Sequence, residues 1–326
     1  MARKRSGSKR IRLGKFGRRL LLLAIVVGGP IGYVWYRQQD RPTQEKVELR
    51  VLETMDFLRE WERTPIEVVR VLDFIADYVP VSRGVVVDLT SFDGETTYFF
   101  GGAPRVDGAV GDLRVLENSG YIVGYDEGRK NPAWVAYRLF KVENESAPER
   151  PEGFDTDPRT RSRVTSGDYT GTGYDRGHMA PNFGIGLCYG AEAQEETFLM
   201  SNIVPQTPEL NRGPWRELEQ RVARRISQRF DEVWILTGPI YDPSPRLLED
   251  GVAVPSAFYK IIVDQTEDGI RALALVYPQK PAADAEVHAF LTSIDAIETA
   301  TGLDFFTTLP DDAENTFEAV ANKRVW

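Results

Sequence analysis

From about Gly84 to the C-terminus the chain is written in short β-rich runs separated by Gly, Asn and Asp: Val85–Leu89, Thr97–Phe100, Tyr121–Tyr125 and Trp134–Phe140. Such punctuation predicts strands and turns. A helical stretch, Asn211–Phe230, precedes further strands at Glu232–Thr237, Phe258–Val263 and Ala272–Tyr277, and a last helix is expected over Glu286–Ala300. Strands and helices therefore mix without regular βαβ alternation, which predicts an α+β fold rather than a doubly wound parallel sheet. No internal repeat or low-complexity tract interrupts it.

The first 83 residues follow another pattern. Residues 1–39 carry ten basic groups and no acid. They contain Leu20–Tyr36, 17 uncharged residues bracketed by Arg19 and Arg37, with Tyr33, Trp35 and Tyr36 at the far end. That run is long enough, at the short limit, for one membrane span, and its aromatic end suits an interface. The expectation is a basic cytoplasmic tail over 1–19, a transmembrane signal anchor over 20–36, and a single-pass membrane protein whose main domain lies on the extracytoplasmic side. A cleaved signal peptide is the rival, although no A-x-A site follows. Arg18-Arg19 also suits twin-arginine export, and an acid-free basic start can serve as an organelle presequence.

Beyond Asp40-Arg41-Pro42, Val47, Val51, Met55 and Leu58 share one helical face, and Thr64-Pro65-Ile66-Glu67 reads as a capping box with Pro at the first helical position. Residues 37–83 are thus expected to form a linker and helical stalk, with the main domain over 84–326.

Of 326 residues, 40 are Lys or Arg and 49 are Asp or Glu. With ten basic groups in the first 39 residues, the remainder is strongly acidic. A domain that bound nucleic acid by general attraction would carry the opposite sign. Polyanion chemistry here needs a locally basic cleft. The single cysteine, Cys188, excludes an internal disulfide, and no Cys/His cluster has zinc-ligand spacing.

There are only two histidines, so a neutral-pH base drawn from histidine is His178 or His288. His288 lies in a periodic helical pattern with no polar partner nearby in sequence and reads as a surface or core-edge residue. His178 follows a Gly-rich turn inside Tyr174-Asp175-Arg176-Gly177-His178-Met179-Ala180-Pro181, which sets an imidazole beside a cation. About twenty residues on come Ser201-Asn202-Ile203-Val204-Pro205-Gln206 and then Asn211-Arg212-Gly213-Pro214-Trp215, with Trp215, Leu218, Val222, Ile226 and Phe230 on one helical face. Asn211 alone reads as a cap or turn residue. Glu219, beside that apolar face, is a carboxylate that needs a partner.

Together these segments resemble the DNA/RNA non-specific endonuclease family, the ββα-metal nucleases that include endonuclease G. The resemblance runs over residues 84–326, through Gly120–Tyr125 and Trp134–Tyr137 to Gly302–Phe306 and Leu309-Pro310-Asp311. It implies a mixed or antiparallel sheet core carrying a ββα-metal motif. It also implies hydrolysis of DNA and RNA to 5′-phosphate and 3′-hydroxyl ends with little sequence preference. Position by position, it implies that His178 is the general base, that Asn211 binds a hydrated Mg²⁺ (or Mn²⁺), and that Glu219 holds the ion's waters. Arg150, in an Arg-x-x-x-Phe-x-x-Asp pattern ending at Asp157, is implied as a phosphate clamp. It further implies that Arg176 contacts phosphate or leaving group and that Asn202 supports the metal waters, while Asp175 is expected to orient the loop rather than bind metal. The expected partners are DNA and RNA as substrates and a membrane through the N-terminal helix, while a homodimer and a protein inhibitor are left open. The competing expectation is a catalytically inactive, membrane-tethered nucleic-acid-binding scaffold on the same fold; a third keeps the enzyme and changes the diester.

Overall fold

In a computed structural model of the chain, the described residues are 35–40, 43–44, 46–48, 50–51, 54–55, 98–106, 113–143, 146–266, 269–282, 285–322 and 325. The chain divides into two compact units, Met1–Ser82 and Arg83–Trp326. The 1–19 tail, most of the 20–36 run, the second stalk helix and the Val85–Leu89 strand lie outside the described residues. No helix among the described residues is long and apolar enough to cross a membrane.

Within the first unit the described residues from 43 to 55 are helical, matching the spacing there. The face differs from the expected one. Met55 is buried but Val51 is exposed, and Glu48 is buried with its carboxylate accepting a hydrogen bond from the Tyr36 hydroxyl.

The second unit is built on one seven-stranded sheet. In chain order its strands are β2 (Leu113–Glu117), β3 (Tyr121–Asp126), β4 (Asn131–Phe140), β7 (Glu232–Ile240), β8 (Ala257–Thr266), β9 (Gly269–Pro278) and β10 (Leu291–Thr292). They lie in the order β10-β9-β8-β7-β4-β3-β2, every pairing antiparallel. The fold is therefore α+β on an antiparallel sheet. Two small pairs stand apart: β1 (Arg105–Val106) with β11 (Leu303–Asp304), and β5 (Asp175–His178) with β6 (Ile203–Gln206).

Both faces of the sheet are covered, so its central strands read as near-continuous apolar runs. Alternate residues divide between two cores. Val135, Tyr137, Ile235, Phe258, Ile262 and Leu275 face a layer holding α1 (Asn182–Tyr189), α2 (Ala191–Glu196), α3 (Pro208–Arg212) and α4 (Pro214–Arg221). Trp134, Ala136, Trp234, Leu236, Tyr259 and Ile261 face Phe305, Phe306 and the helices α5 (Ile294–Thr301) and α6 (Asp311–Glu318). Each fully buried large apolar side chain contributes about 1.5–3 kcal/mol. Gly124 is required where β3 crosses Trp134, because a Cβ there would sit 2.2 Å from the indole.

Three expected elements are corrected. Thr97–Phe100 is not a strand in its described part, 98–100. The single helix over Asn211–Phe230 is two, broken at Gly213: the Thr207 hydroxyl caps α3 by accepting the Leu210 N–H, and α4 restarts at Pro214 before a π-helical stretch, Val222–Ile226. A residue preceding proline is driven out of the helical region, and a Cβ at Gly213 would meet the Glu209 carbonyl at 2.5 Å. The apolar face nonetheless holds, with Trp215, Leu218, Val222 and Ile226 buried. The helix expected over Glu286–Ala300 is instead a 3₁₀ turn (Val287–Phe290), then β10, then α5, which starts where Ser293 accepts the Ala296 N–H at 3.2 Å.

Candidate nucleic-acid cleavage site

The site residues implied by the family resemblance all fall in one excursion of the chain, 141–231, between the adjacent strands β4 and β7. Its centre is the β5–β6 pair, in which Asp175 stands opposite Gln206 and His178 opposite Ile203. The backbone of β5 approaches Gln206 so closely that a Cβ at Gly177 would lie 2.1 Å from its amide oxygen, so only glycine fits between Arg176 and His178. The turn after His178 is clamped by Asn202. Its Oδ1 accepts the Ala180 N–H at 2.8 Å, and its Nδ2 donates to the carbonyls of Ala180 and Thr197 at 3.0 and 2.9 Å. Those three bonds commit both ends of a fully buried amide to the main chain.

His178 is 8% exposed, and its Nε2 is buried without a hydrogen-bond partner. Its ring sits 4.8 Å from Phe198, edge to face, and 5.5 Å from Phe154. The Arg150 guanidinium lies over the same Phe198 ring at 5.1 Å. Burial, aided by the Arg150 charge, pushes the imidazole down to about 3, so it is neutral at physiological pH. Between about pH 6.5 and 3 the unfolded chain takes a proton that the folded one refuses. Stability from this residue is present above that window and falls by about 1.4 kcal/mol per pH unit as pH drops through it. Urea denaturation from pH 7 to 4 should therefore give a shallower slope of stability against pH for His178→Ala than for the parent protein; equal slopes would refute the shift.

Each end of the Arg-x-x-x-Phe-x-x-Asp pattern reaches this loop. Phe154 packs on His178, while Asp157, almost wholly buried, accepts from the Ser201 hydroxyl at 2.6 Å and from Arg159 at 2.7 Å. Burial opposes ionisation of Asp157, but those hydrogen bonds win and hold its carboxyl below the usual range. Arg176 is half-buried. It donates to the Ser166 carbonyl and to the Thr170 hydroxyl and lies 5.9 Å from the rings of Phe154 and Tyr169, which ties it to the preceding 3₁₀ turn, Ser166–Tyr169.

At the other end of β5, Asp175 accepts from Arg212 at 2.6 and 2.8 Å and from Asn211 Nδ2 at 3.0 Å. The Arg212 bonds foremost, then Asn211, outweigh partial burial and hold Asp175 below the usual carboxylate range. Only the amide nitrogen can donate to a carboxylate, so this bond decides which way Asn211 faces and leaves Oδ1 as the atom it offers. Glu219, on α4, has a buried Oε1 without a hydrogen-bond partner. Burial raises its carboxyl to about 7 against the pull of Lys260 and the Trp215 indole.

Lys260 was not among the expected site residues. It is fully buried on β8, its Nζ donating to the Tyr137 hydroxyl at 3.1 Å and lying 4.5 Å from the Trp215 ring centre. Burial lowers it to about 8, with Glu219 opposing. A signal existed: Phe258, Lys260 and Ile262 alternate onto one face, so a lone lysine was being buried among apolar neighbours. His288 is exposed, as expected, but its Nδ1 lies 3.3 Å from Glu286, a polar neighbour in sequence that the expectation had not counted. The described contacts join His178 to Arg150 through Phe198, and Asn211 to β5 through Asp175; Glu219 is grouped separately with Lys260 and Trp215.

The family model for DNA/RNA non-specific endonucleases matches residues 105–312, which span the whole of this arrangement. The chain belongs to the DNA/RNA non-specific endonuclease family. Among relatives of this endonuclease family, the mitochondrial nuclease EXOG of Xenopus laevis is 32% identical over 212 residues, covering 59% of this chain and 58% of that protein. The mitochondrial endonuclease G of Bos taurus is 30% identical over 226 residues, covering 61% and 71%. A crystal structure of the EndoG/EndoGI complex, concerned with EndoG inhibition, is similar with a TM-score of 0.55 and 29% identity, over 62% of this chain and 89% of that one. The chain thus spans little more than half the length of the frog nuclease. These relatives correct one expectation. The single-pass membrane location with an extracytoplasmic catalytic domain is overturned by relatives that are mitochondrial by name, together with the lack of a membrane-length helix among the described residues.

Proposed function

We propose that this endonuclease-family chain hydrolyses phosphodiester bonds within DNA and RNA, without sequence preference, leaving 5′-phosphate and 3′-hydroxyl ends. The observation that carries the reading is the Asp175–Asn211 hydrogen bond, which ties the amide nitrogen of Asn211 to the strand that bears His178 and leaves its oxygen as the atom to offer a ligand. Asn211 Oδ1 and the unpartnered Glu219 Oε1 are hard oxygen donors, the type that suits a hydrated Mg²⁺ or Mn²⁺. Asn211 would hold the ion and Glu219 its water shell. When bound, such an ion stabilises charge on the phosphate and on the departing 3′-oxygen.

The chain's own residues supply the rest. His178, kept neutral by burial and Arg150, is in the form that can take a proton from the attacking water. Arg150 is exposed beyond Phe198, where its guanidinium can meet phosphate oxygens in a fork geometry. Arg176 is held by Ser166 and Thr170 and adds positive potential on the Phe154 side of the imidazole. Asn202 acts as a positioning residue, since its amide is spent on the loop that fixes His178. Contacts to phosphate carry no base information, which fits a lack of sequence preference.

Incubating the purified chain with supercoiled plasmid and with single-stranded RNA, in Mg²⁺, Mn²⁺ or chelator, tests this. Metal-dependent loss of both substrates is the expected result. A protein inert with either metal that still retards nucleic acid in a gel without metal would instead support the binding scaffold.

A further inference from the structure

On the sheet face opposite α3 and α4, Asp295 and Glu298 of α5 meet Glu318, the last residue of α6. Each offers one carboxylate oxygen, and the three oxygens lie within 4.8 Å of one another. The cluster is graded in depth: Asp295 is exposed, Glu298 half-buried, and Glu318 only 6% exposed. Glu318 Oε1 is buried with no hydrogen-bond partner. The charges acting on Glu318 are those of Glu298, Glu314, Asp295 and Asp304, all negative. A carboxylate more than nine-tenths buried, with one oxygen unpartnered and two other carboxylates beside it, is costly as an anion; burial and those neighbours raise it to about 9, so either a proton or a cation between the three must relieve it.

We propose that Asp295, Glu298 and Glu318 form a second divalent-cation site, of calcium type, that ties α6 to α5. Oxygens bound to one Ca²⁺ at about 2.3–2.6 Å are at most about 5 Å apart, which a separation within 4.8 Å satisfies, and Ca²⁺ accepts irregular all-carboxylate cages that Mg²⁺, with its strict octahedron and retained waters, does not favour. The depth gradient gives the ion a route, from Asp295 at the surface to Glu318 within. Glu298 is held for this by the Phe305 N–H, which it accepts at 2.7 Å. The ion would fasten α6, whose Phe317 packs 5.2 Å from Phe306, onto the second core. This site is structural and independent of the cleavage site.

Thermal unfolding in EDTA and in Ca²⁺ tests the inference, with Asn211→Ala as the background so that binding at the cleavage site does not contribute. At a Ca²⁺ concentration about a hundred times its dissociation constant, Tm should rise by about 5–10 °C in that background. The rise should vanish with Glu318→Gln and with the exposed substitution Asp295→Asn. In EDTA, Glu318→Gln should be about as stable as its parent, because burial and the neighbouring carboxylates raise the Glu318 carboxyl to about 9 and keep it neutral without a cation; Asp295→Asn decides the matter should Glu318→Gln fold poorly. A Ca²⁺ increment that survives Asp295→Asn overturns the site. So does a background protein indifferent to Ca²⁺ at pH 7.5 whose Tm climbs in EDTA at pH 6, since the carboxyls would then be relieved by protons.

Discussion

Replacing His178 with alanine is expected to lower the single-turnover rate of plasmid cleavage by about 10²–10⁴-fold, the range that a positioned general base supplies. The loss should fall on the chemical step. His178 Nε2 is unpartnered and its ring is gripped between Phe154 and Phe198, so removing the imidazole leaves those walls and the Asn202 clamp in place. Substrate binding, read by gel shift in chelator, should change little. The space left behind is walled by Phe154 and Phe198, so added imidazole should enter it and restore part of the rate, with the rescue rising with pH as the free base increases. Cleavage undiminished in the variant would remove His178 from the mechanism. A loss of rate matched by collapsed near-ultraviolet circular dichroism would assign it to the core instead.

The second large effect is expected at the metal. Asn211→Ala should raise the Mg²⁺ concentration needed for half-maximal cleavage and lower the saturated rate by about 10²–10⁴-fold, because the ion's several kcal/mol of charge stabilisation depends on being held in place. Asp175→Asn provides the discriminating comparison. An amide at 175 can no longer accept as strongly from Asn211 and Arg212, so Asn211 loses the partner that decides its orientation. Outer partners of metal ligands typically matter by about 10–100-fold, and the Asp175→Asn loss should be of that size and partly overcome by excess Mg²⁺. Equal Mg²⁺ dependence in parent and both variants would separate Asn211 from the ion.

Much of the fold was legible because burial of both sheet faces writes long apolar runs into β4, β7, β8 and β9, and each was expected within a few residues of its true ends. Pairing order was not legible: β4 neighbours β7 across some ninety residues, and nothing local in either strand specifies that. The helix over Asn211–Phe230 was misjudged because the spacing of Trp215, Leu218 and Val222 continues smoothly, while Gly213-Pro214, which does carry a stop signal, was outweighed. The strand character of Asp175–His178 was hidden for a related reason. Its residues are polar, and only the pairing with Ile203–Gln206 makes them extended.

At the site, the motif identified His178, and the resemblance supplied Asn211 and Glu219. What single residues could not disclose is which side chains are used up by the fold. Asn202 is fully committed to main-chain groups, whereas Asn211, the same residue type nine positions later, is held by one end only. Lys260 was missed because its relation to Glu219 crosses from a strand to a helix on a facing layer.

The placement of His178, Asn202, Asn211 and Glu219 between β4 and β7 also bears on how the sheet is put together. Joining those two strands closes a loop of about ninety residues, and the entropy of such a closure grows only with the logarithm of its length, about 0.6 kcal/mol for each doubling. The rest of the sheet is held by hairpins of near neighbours, β2 with β3 with β4 and β7 with β8 with β9, which form early and cheaply. Within this sheet the β4–β7 pairing is thus the one long-range seam, and the excursion that carries the cleavage residues is closed by it. An excursion anchored in this way can lengthen or shorten over evolutionary time at little cost to the ribbons, so that the sheet serves as a frame and the reactive segment as its changeable panel.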